Sequence, residues 1–330
     1  MGYTARVMLD DIAQVIKEHE RFGIVAHLGP EADAIGALLG VHHILQQLGK
    51  TTHPVLRDAV PHELCFLPGS GAIVGTDAVP HAEIDVWMVV DCGQLNRVGH
   101  DLEGVLREHP LVVNIDHHAD NPHFGYVNWV DVRASTTMLI YDLARHLGVD
   151  VSDDLATCLY SGIIADTDAF RNDNVTSDVL RVASELVEYG ARVREINVNL
   201  YERRTPAAMR ILGYTLAHAQ IDREHRLIWY AISQDDFRST GATVNDTERV
   251  VEELRAVDGV DVAVLLKEME NGRVKVSLRS KNGVDVSRVA REFGGGGHPK
   301  AAGCLVDEGL AEAETQILSA VKHALARHDD

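Results

Sequence analysis

Three apolar runs in the first half of the chain, Phe22–Ala26, Val86–Val90 and Leu111–Ile115, each stop at a polar loop. Consecutive aliphatic positions suit a strand buried on both faces, as in a parallel sheet covered by helices. Ile35–Leu48, Ser135–Leu147, Leu155–Ala165 and Val179–Tyr189 instead carry apolar residues at helical spacing, with Gly148 and Gly190 as stops. The alternation predicts an α/β domain over residues 1–189, a parallel sheet flanked by helices. After it the pattern changes. Val193, Ile196 and Leu200, then Met209, Leu212 and Leu216, recur among polar residues and arginines, which predicts a helical connector over 190–220. Beyond it Leu227–Ile232 and Val262–Glu268 read as strands, with Asn271-Gly272 a hairpin turn into Arg273–Leu278. Thr247–Val257, Val286–Phe293 and Ala311–Arg327 read as helices, so residues 221–330 are expected to form a second, smaller α/β domain.

Composition narrows the class. With 330 residues, 45% of them hydrophobic but only 5% aromatic, the chain can fill two cores that are mainly aliphatic. Cys65, Cys92, Cys158 and Cys304 show no paired spacing, which argues against a disulfide framework or zinc knuckle and fits a reducing compartment. The N-terminus shows no basic segment followed by an apolar core, and no run approaches membrane-spanning length, so a cytoplasmic location without a membrane partner is expected. A net charge of -19 opposes broad binding to long nucleic acid. A small anion responds to local charge instead, and Arg273 to Lys300 holds seven basic residues against two acidic ones.

Four loops carry the chemistry: His27-Leu-Gly-Pro-Glu31-Ala-Asp33, Val89-Val-Asp91, Asn114-Ile-Asp116-His117-His118, and Gly162-Ile-Ile-Ala-Asp166-Thr-Asp168. Open α/β sheets bind ligands outside the carboxyl ends of their strands, where three of these loops fall; Asp166 closes a helical pattern. Any one of them alone reads as a helix cap or a surface histidine, and the pair His42-His43, inside a helical pattern, reads as structural. Together they place carboxylates where burial is costly unless cations compensate, which implies a two-metal site. Carboxylate and imidazole donors without thiolate suit manganese, with magnesium, cobalt or zinc as substitutes. Paired ions clamp the attacking and leaving oxygens of an in-line displacement, which is phosphoester chemistry. Near the C-terminus, the run Gly294–Gly297 before His298 permits backbone approach that any Cβ would block, a way to expose N–H groups to a phosphate.

With one C-terminal segment added, Ser277-Leu-Arg279-Ser280 followed by Gly294-Gly-Gly-Gly-His298-Pro-Lys-Ala-Ala-Gly303, five motifs stand in order, and the chain resembles the DHH phosphoesterase superfamily. Its nearest likeness is the NrnA-like nanoRNase and pAp phosphatase branch, with a C-terminal DHH-associated domain, over about residues 20–305. The resemblance implies one metal held by His27, Glu31 and Asp91 and a second by Asp33, Asp91, His117 and Asp166, with Asp91 bridging. It further implies that His118 contacts the scissile phosphate, that Asp116 supports its neighbouring histidines, and that Arg279, Ser280, Gly295, Gly296, Gly297 and His298 hold the terminal nucleotide. Asp168 matches no ligand and is expected to support one. The family has Asp where this chain has Glu31, a longer arm that loosens or shifts the first site.

The expected activity is hydrolysis of RNA of two to five nucleotides to mononucleotides, with pAp as a further substrate and a homodimer as the assembly. Linear or cyclic dinucleotide messengers are an alternative substrate class for the same site. A catalytically weak nucleotide-binding regulator is the non-enzymatic alternative, motivated by Glu31. A family II pyrophosphatase would carry a compact Lys/Arg cluster in place of the glycine run. A RecJ-like exonuclease would need a basic, aromatic-bearing groove, which this acidic chain lacks. Alanine at Asp116 or His117 is expected to abolish turnover at a solvent-facing cleft while sparing the fold.

Overall fold

A computed structural model describes residues 3–329, and the chain divides after Arg203 into two compact units. The first contains α1 (Tyr3–Glu18), β1 (Arg21–Val25), α2 (Ala32–Gln47), β2 (Thr51–Val55), β3 (Val86–Val90), α3 (His100–Glu108), β4 (Val112–Asp116), β5 (Val127–Val130), α4 (Thr136–Leu147), α5 (Asp153–Asp166), α6 (Ser177–Glu188) and α7 (Val193–Asn197). Its five strands are all parallel, in the order β2-β1-β3-β4-β5. Val25 of β1 pairs with Val89 of β3, and Val90 with Ile115 of β4, so these three strands end level. The loops that follow them, bearing His27, Asp91 and Asp116 to His118, therefore leave the sheet side by side.

The expected strands and helices of this unit are present with ends moved by a few residues; helices α1 and α3 were not anticipated, nor were strands β2 and β5. Both are edge strands, where Pro54 and Asn128 interrupt the apolar pattern that marks the buried ones. Helices α2, α4 and α5 cover one face through Ile35, Leu38, Leu139, Ile140, Leu159 and Ile163, all buried. On the other face Trp87 and Val89 pack with Leu102 and Leu106 of α3.

The second unit contains α8 (Pro206–His218), β6 (Gln220–Asp222), β7 (Leu227–Ile232), α9 (Gln234–Thr240), α10 (Val250–Arg255), β8 (Val262–Glu268), β9 (Val274–Ser280), α11 (Val286–Glu292), β10 (Gly296–His298), β11 (Ala301–Val306) and α12 (Leu310–Asp329). Its six strands run in the order β10-β11-β9-β8-β7-β6, with β7 and β8 parallel and the other neighbours antiparallel. One face packs on α11 and α12 through Val264, Val276, Ile317 and Val321. The other packs on α8 to α10 through Ile211, Phe237, Leu254 and Leu265.

The stretch 190–220 is helical, but it divides between the units. Buried Ile196 anchors residues 193–202 in the first, while Ile211 anchors α8 in the second. Thr205 starts α8 by accepting the Ala208 N–H, with Pro206 at the first helical position. The helix expected over Thr247–Val257 is broken: Arg249 takes a left-handed φ of 60°, so a 3-10 turn ends before it and α10 begins after it. Among the described residues the four cysteines are free, only Cys65 is exposed, and no helix is long and apolar enough to cross a membrane.

Candidate metal centre

His27 follows β1, and its Nδ1–H donates to the Leu28 carbonyl at 2.8 Å. His117 follows β4, and its Nδ1–H donates to the Arg133 carbonyl at 3.1 Å. These acceptors select the tautomer in which each Nε2 carries a lone pair. Both lone pairs meet carboxylates: His27 Nε2 stands 3.5 Å from Asp91 Oδ2, and His117 Nε2 stands 3.5 Å from Asp91 Oδ1 and 3.6 Å from Asp166 Oδ2. Lone pair against lone pair is repulsive unless a proton or a cation lies between them. Donor atoms of Asp33, Asp91 and His117, all buried, lie within 4.8 Å of one another, which fits a shared cation.

Proton affinities report the same crowding. Burial and then the Asp91 charge lift the Asp33 carboxyl to about 6. Asp166 is pushed well above the usual carboxylate range by burial and by Asp33, Glu31 and Asp91. Asp91 moves the other way: burial would raise it, but His27, His117 and His118 together hold it well below its ordinary value. Burial alone would depress His27, yet the bond that its protonated Nε2–H would give Asp91, together with the Asp91 charge, leaves it raised. Cys92 lies nearby, but burial pushes its thiol up to about 12, so it offers no thiolate.

Hydroxyl and amide groups absent from the sequence-based site hold these carboxylates in place. Asp33 accepts from Thr136 N–H at 2.6 Å on Oδ2, and on Oδ1 from Thr137 N–H at 3.0 Å and the Thr137 hydroxyl at 2.8 Å. The Thr136 hydroxyl donates to Asp91 Oδ1 at 3.0 Å. The start of α4 thus grips the mouth with its first-turn N–H groups. The run Ser135-Thr136-Thr137 was legible as a helix start, although its anion was not. Gly162 on α5 lies under Asp33, where a Cβ would come 2.3 Å from Asp33 Oδ1. Asp91 itself takes a left-handed φ of 50°, a conformation rare for a residue other than glycine.

Asp116 is fully buried, and its neighbours define its role. Oδ1 accepts from His118 Nδ1 at 2.7 Å and Oδ2 from Asn121 Nδ2 at 2.7 Å. Burial would lower the His118 pKa, but the Asp116 hydrogen bond and charge raise it to about 9, an imidazolium at neutral pH. Asp116 orients His118, while His117 is oriented by the Arg133 carbonyl. Because Asp116 is 0% and His117 only 7% exposed, alanine there opens a buried polar network and touches stability too. Glu31 stands exposed at the start of α2, making no side-chain cap bond, with its charge felt by Asp166. Asp168 takes a φ of 48° and pairs with Arg171 at 2.7 Å. His42 and His43 are structural, bonded to the Thr52 hydroxyl at 2.8 Å and the Pro68 carbonyl at 3.0 Å.

In the second unit the glycine run is not a loose loop. Gly294, with φ of 72°, ends α11, and β10 pairs with β11. A Cβ on Gly295 would meet the Gly303 carbonyl at 2.2 Å, and one on Gly297 the Ala301 carbonyl at 2.5 Å, whereas Gly296 faces open space. Arg279 pairs with Glu252 at 2.8 Å, and His298 is exposed on β10. Ser280 is buried, its hydroxyl donating to the Val284 carbonyl at 2.5 Å, so it braces the hairpin base.

A carboxylate and imidazole mouth at the carboxyl edge of a parallel sheet, crowded enough to call for cations, defines a metal-dependent hydrolase. Sequence comparison gives its kind: residues 21–163 match the DHH family, N-terminal domain, and residues 226–327 match the DHHA1 domain. The Thermus thermophilus protein named bifunctional oligoribonuclease and PAP phosphatase NrnA is 36% identical over 321 residues, 96% of this chain and 94% of that one. The protein of that name from Bacillus subtilis is 26% identical, covering 93% of this chain and 98% of its own. The chain belongs to the DHH phosphoesterase family. A crystal structure of an exopolyphosphatase-related protein from Bacteroides fragilis superposes with a TM-score of 0.92 over 98% of both chains, at 24% identity, and shares the fold.

Proposed function

We propose that this chain hydrolyses short oligoribonucleotides to mononucleotides and dephosphorylates pAp, using two manganese ions. The observation that carries the reading is the pair of Nε2 lone pairs on His27 and His117, both aimed at Asp91. His27, Glu31 and Asp91 would hold one ion, and Asp33, Asp91, His117 and Asp166 the other. When bound, such ions supply Lewis acidity to the phosphoryl group and to the attacking water. An all-oxygen and imidazole donor set favours manganese over thiophilic metals. The match to full-length relatives named for oligoribonuclease and PAP phosphatase activity supports the substrate class.

The chain's own residues do the rest. Thr136 and Thr137 keep Asp33 ionised and fixed, so little rearrangement accompanies catalysis. His118 shares the proton on its Nδ1 with Asp116, which Asn121 holds in turn, and its positive ring draws in a phosphate oxygen. The ring's other nitrogen is the atom from which a proton passes to the departing ribose oxygen. In the second unit, Arg279, His298 and the β10–β11 hairpin are the proposed nucleotide grip, with Gly296 the one position of the hairpin open to close approach. The test is a panel of RNA dimers to pentamers, pAp and pyrophosphate, assayed with and without Mn2+. Manganese-dependent release of mononucleotides and of phosphate from pAp is expected; hydrolysis of neither the oligomers nor pAp refutes the proposal.

A further inference from the structure

Two exposed guanidinium groups stand at the edge of this negatively charged mouth, and among the described residues neither has a carboxylate partner. Arg97 lies on the loop that leaves β3 after Asp91, and its carbonyl accepts the Leu28 N–H at 2.7 Å, tying this loop to the one that carries His27. Its Nη2 stands 3.5 Å from His27 Nδ1. That nitrogen already gives its hydrogen to the Leu28 carbonyl, so it accepts nothing from the arginine. Among the described residues no carboxylate pairs with Arg97. Its charge nonetheless bears on both imidazoles, opposing protonation of His27 and of His118.

Arg57 approaches from the loop after β2. A Cβ on Gly99 would lie 2.8 Å from Arg57 Cδ and 3.4 Å from its Nη1, so the Arg57 side chain runs over the backbone just beyond Arg97. The next residue, Asp58, accepts the Gly29 N–H at 2.7 Å and fastens this loop to the His27 loop as well. Backbone N–H groups at Leu28 and Gly29 thus lace together three loops, and the laced edge presents two exposed cations in a chain of net charge -19. A solvated surface arginine needs no such fastening. A planar guanidinium held beside a cation site suits a phosphate, whose oxygens it meets two at a time.

We propose that Arg97, with Arg57 behind it, forms an anion-binding rim of the N-terminal unit that takes the non-bridging oxygens of the phosphate under attack. The inference rests on the phosphoester reading of the mouth. Arg97 stands beside His27 and its charge reaches His118, the side chain read as drawing in a phosphate oxygen, so it is placed to meet the negative charge that grows on the phosphoryl oxygens as the new bond forms. Arg57, farther out, steadies the bound substrate.

The test is steady-state hydrolysis of 5′-phosphorylated diadenylate and of pAp by the full chain with Mn2+, for wild type, Arg97→Ala, Arg97→Lys and Arg57→Ala. For Arg97→Ala we expect kcat/KM to fall about 10²–10³-fold on both substrates, mainly in kcat, as for loss of one oxyanion donor. Manganese binding measured by calorimetry should not weaken, because Arg97 is no ligand and its charge opposes a cation beside His27. Arg97→Lys should recover less than about a tenth of the loss, since a point charge lacks the fork. Arg57→Ala should raise KM severalfold and leave kcat within about twofold of wild type. Activity of Arg97→Ala within about threefold of wild type, or a loss confined to one substrate, overturns the assignment of Arg97. An Arg57→Ala variant equal to wild type removes Arg57 from the rim. If the wild-type chain cleaves neither substrate, the phosphoester reading itself has failed.

Discussion

Replacing Gly162 by alanine tests how tightly the Asp33 carboxylate is held. The new Cβ would lie 2.3 Å from Asp33 Oδ1, 2.4 Å from Thr137 Oγ1 and 2.6 Å from Thr137 Cγ2, all below the 3.0 Å that real Cβ contacts respect. A flexible side chain would swing aside, but three hydrogen bonds tether Asp33. Making room costs at least one bond to a charged group, about 1.5–3 kcal/mol. Alanine in a helix interior returns about 1 kcal/mol relative to glycine. The net is a destabilisation of about 0.5–2 kcal/mol, small enough for the chain to fold. Metal binding suffers more, because a displaced ligand or its hydrogen-bond partner typically costs 10–100-fold in affinity, and we expect a loss of about that size. Denaturant melts without metal would read the first quantity and manganese calorimetry the second. A variant as stable as wild type or more so, with unchanged manganese affinity, would refute the picture of a rigidly tethered Asp33.

Manganese binding should weaken as pH falls through about 6, because Asp33, near that value, and His27 and Asp166, also raised, must shed protons to bind. Calorimetry in buffers of different ionisation enthalpy should show proton release; affinity independent of pH in this range contradicts the ligand set. Lys267 is 6% exposed, bonded to the Ser277 hydroxyl, and burial lowers it from 10.5 to about 7. Because its folded pKa is depressed, the cost of burying its charge is full below about 7 and fades as pH rises toward 10.5. Lys267→Met should therefore stabilise the second unit by on the order of 2–4 kcal/mol at acid pH and by little at pH above the unfolded value; denaturant melts across that range that show a constant difference would contradict this. Gly297→Ala, at φ of 136° and against the Ala301 carbonyl, should cost about 2–3 kcal/mol. Gly296→Ala should stay within about 1 kcal/mol, and equal losses at the two positions would show that the hairpin does not discriminate between them.

How far the sequence could be read depended on where each constraint lies. Val86–Val90 and Leu227–Ile232 were legible to the residue because both are apolar runs with a paired strand on each side. Edge strands such as Thr51–Val55 carry polar residues and a proline, so their pattern never announces a strand. His27, Asp33, Asp91, His117 and Asp166 could be named because each lies just past a conspicuous strand or at one end of a conspicuous helix, and the fold brings them to one mouth. Thr136, Thr137 and Asn121 escaped notice because hydroxyls and amides are common at helix starts and turns, and only the fold shows which carboxylate they meet. Arg97 lay in an ordinary polar loop. The glycine run was read as freedom for a ligand, whereas Gly294, Gly295 and Gly297 are required by a helix stop and by the β10–β11 contact. Ser280, taken for a ligand contact, is committed to the Val284 carbonyl.

The most direct test of the account is a crystal structure of the manganese-loaded protein with anomalous difference maps. Two manganese peaks should appear at the carboxyl edge of the first sheet, Asp91 bonded to both, with His27 on one and His117 on the other. A single ion there, or peaks ligated without Asp91, would contradict the central claim.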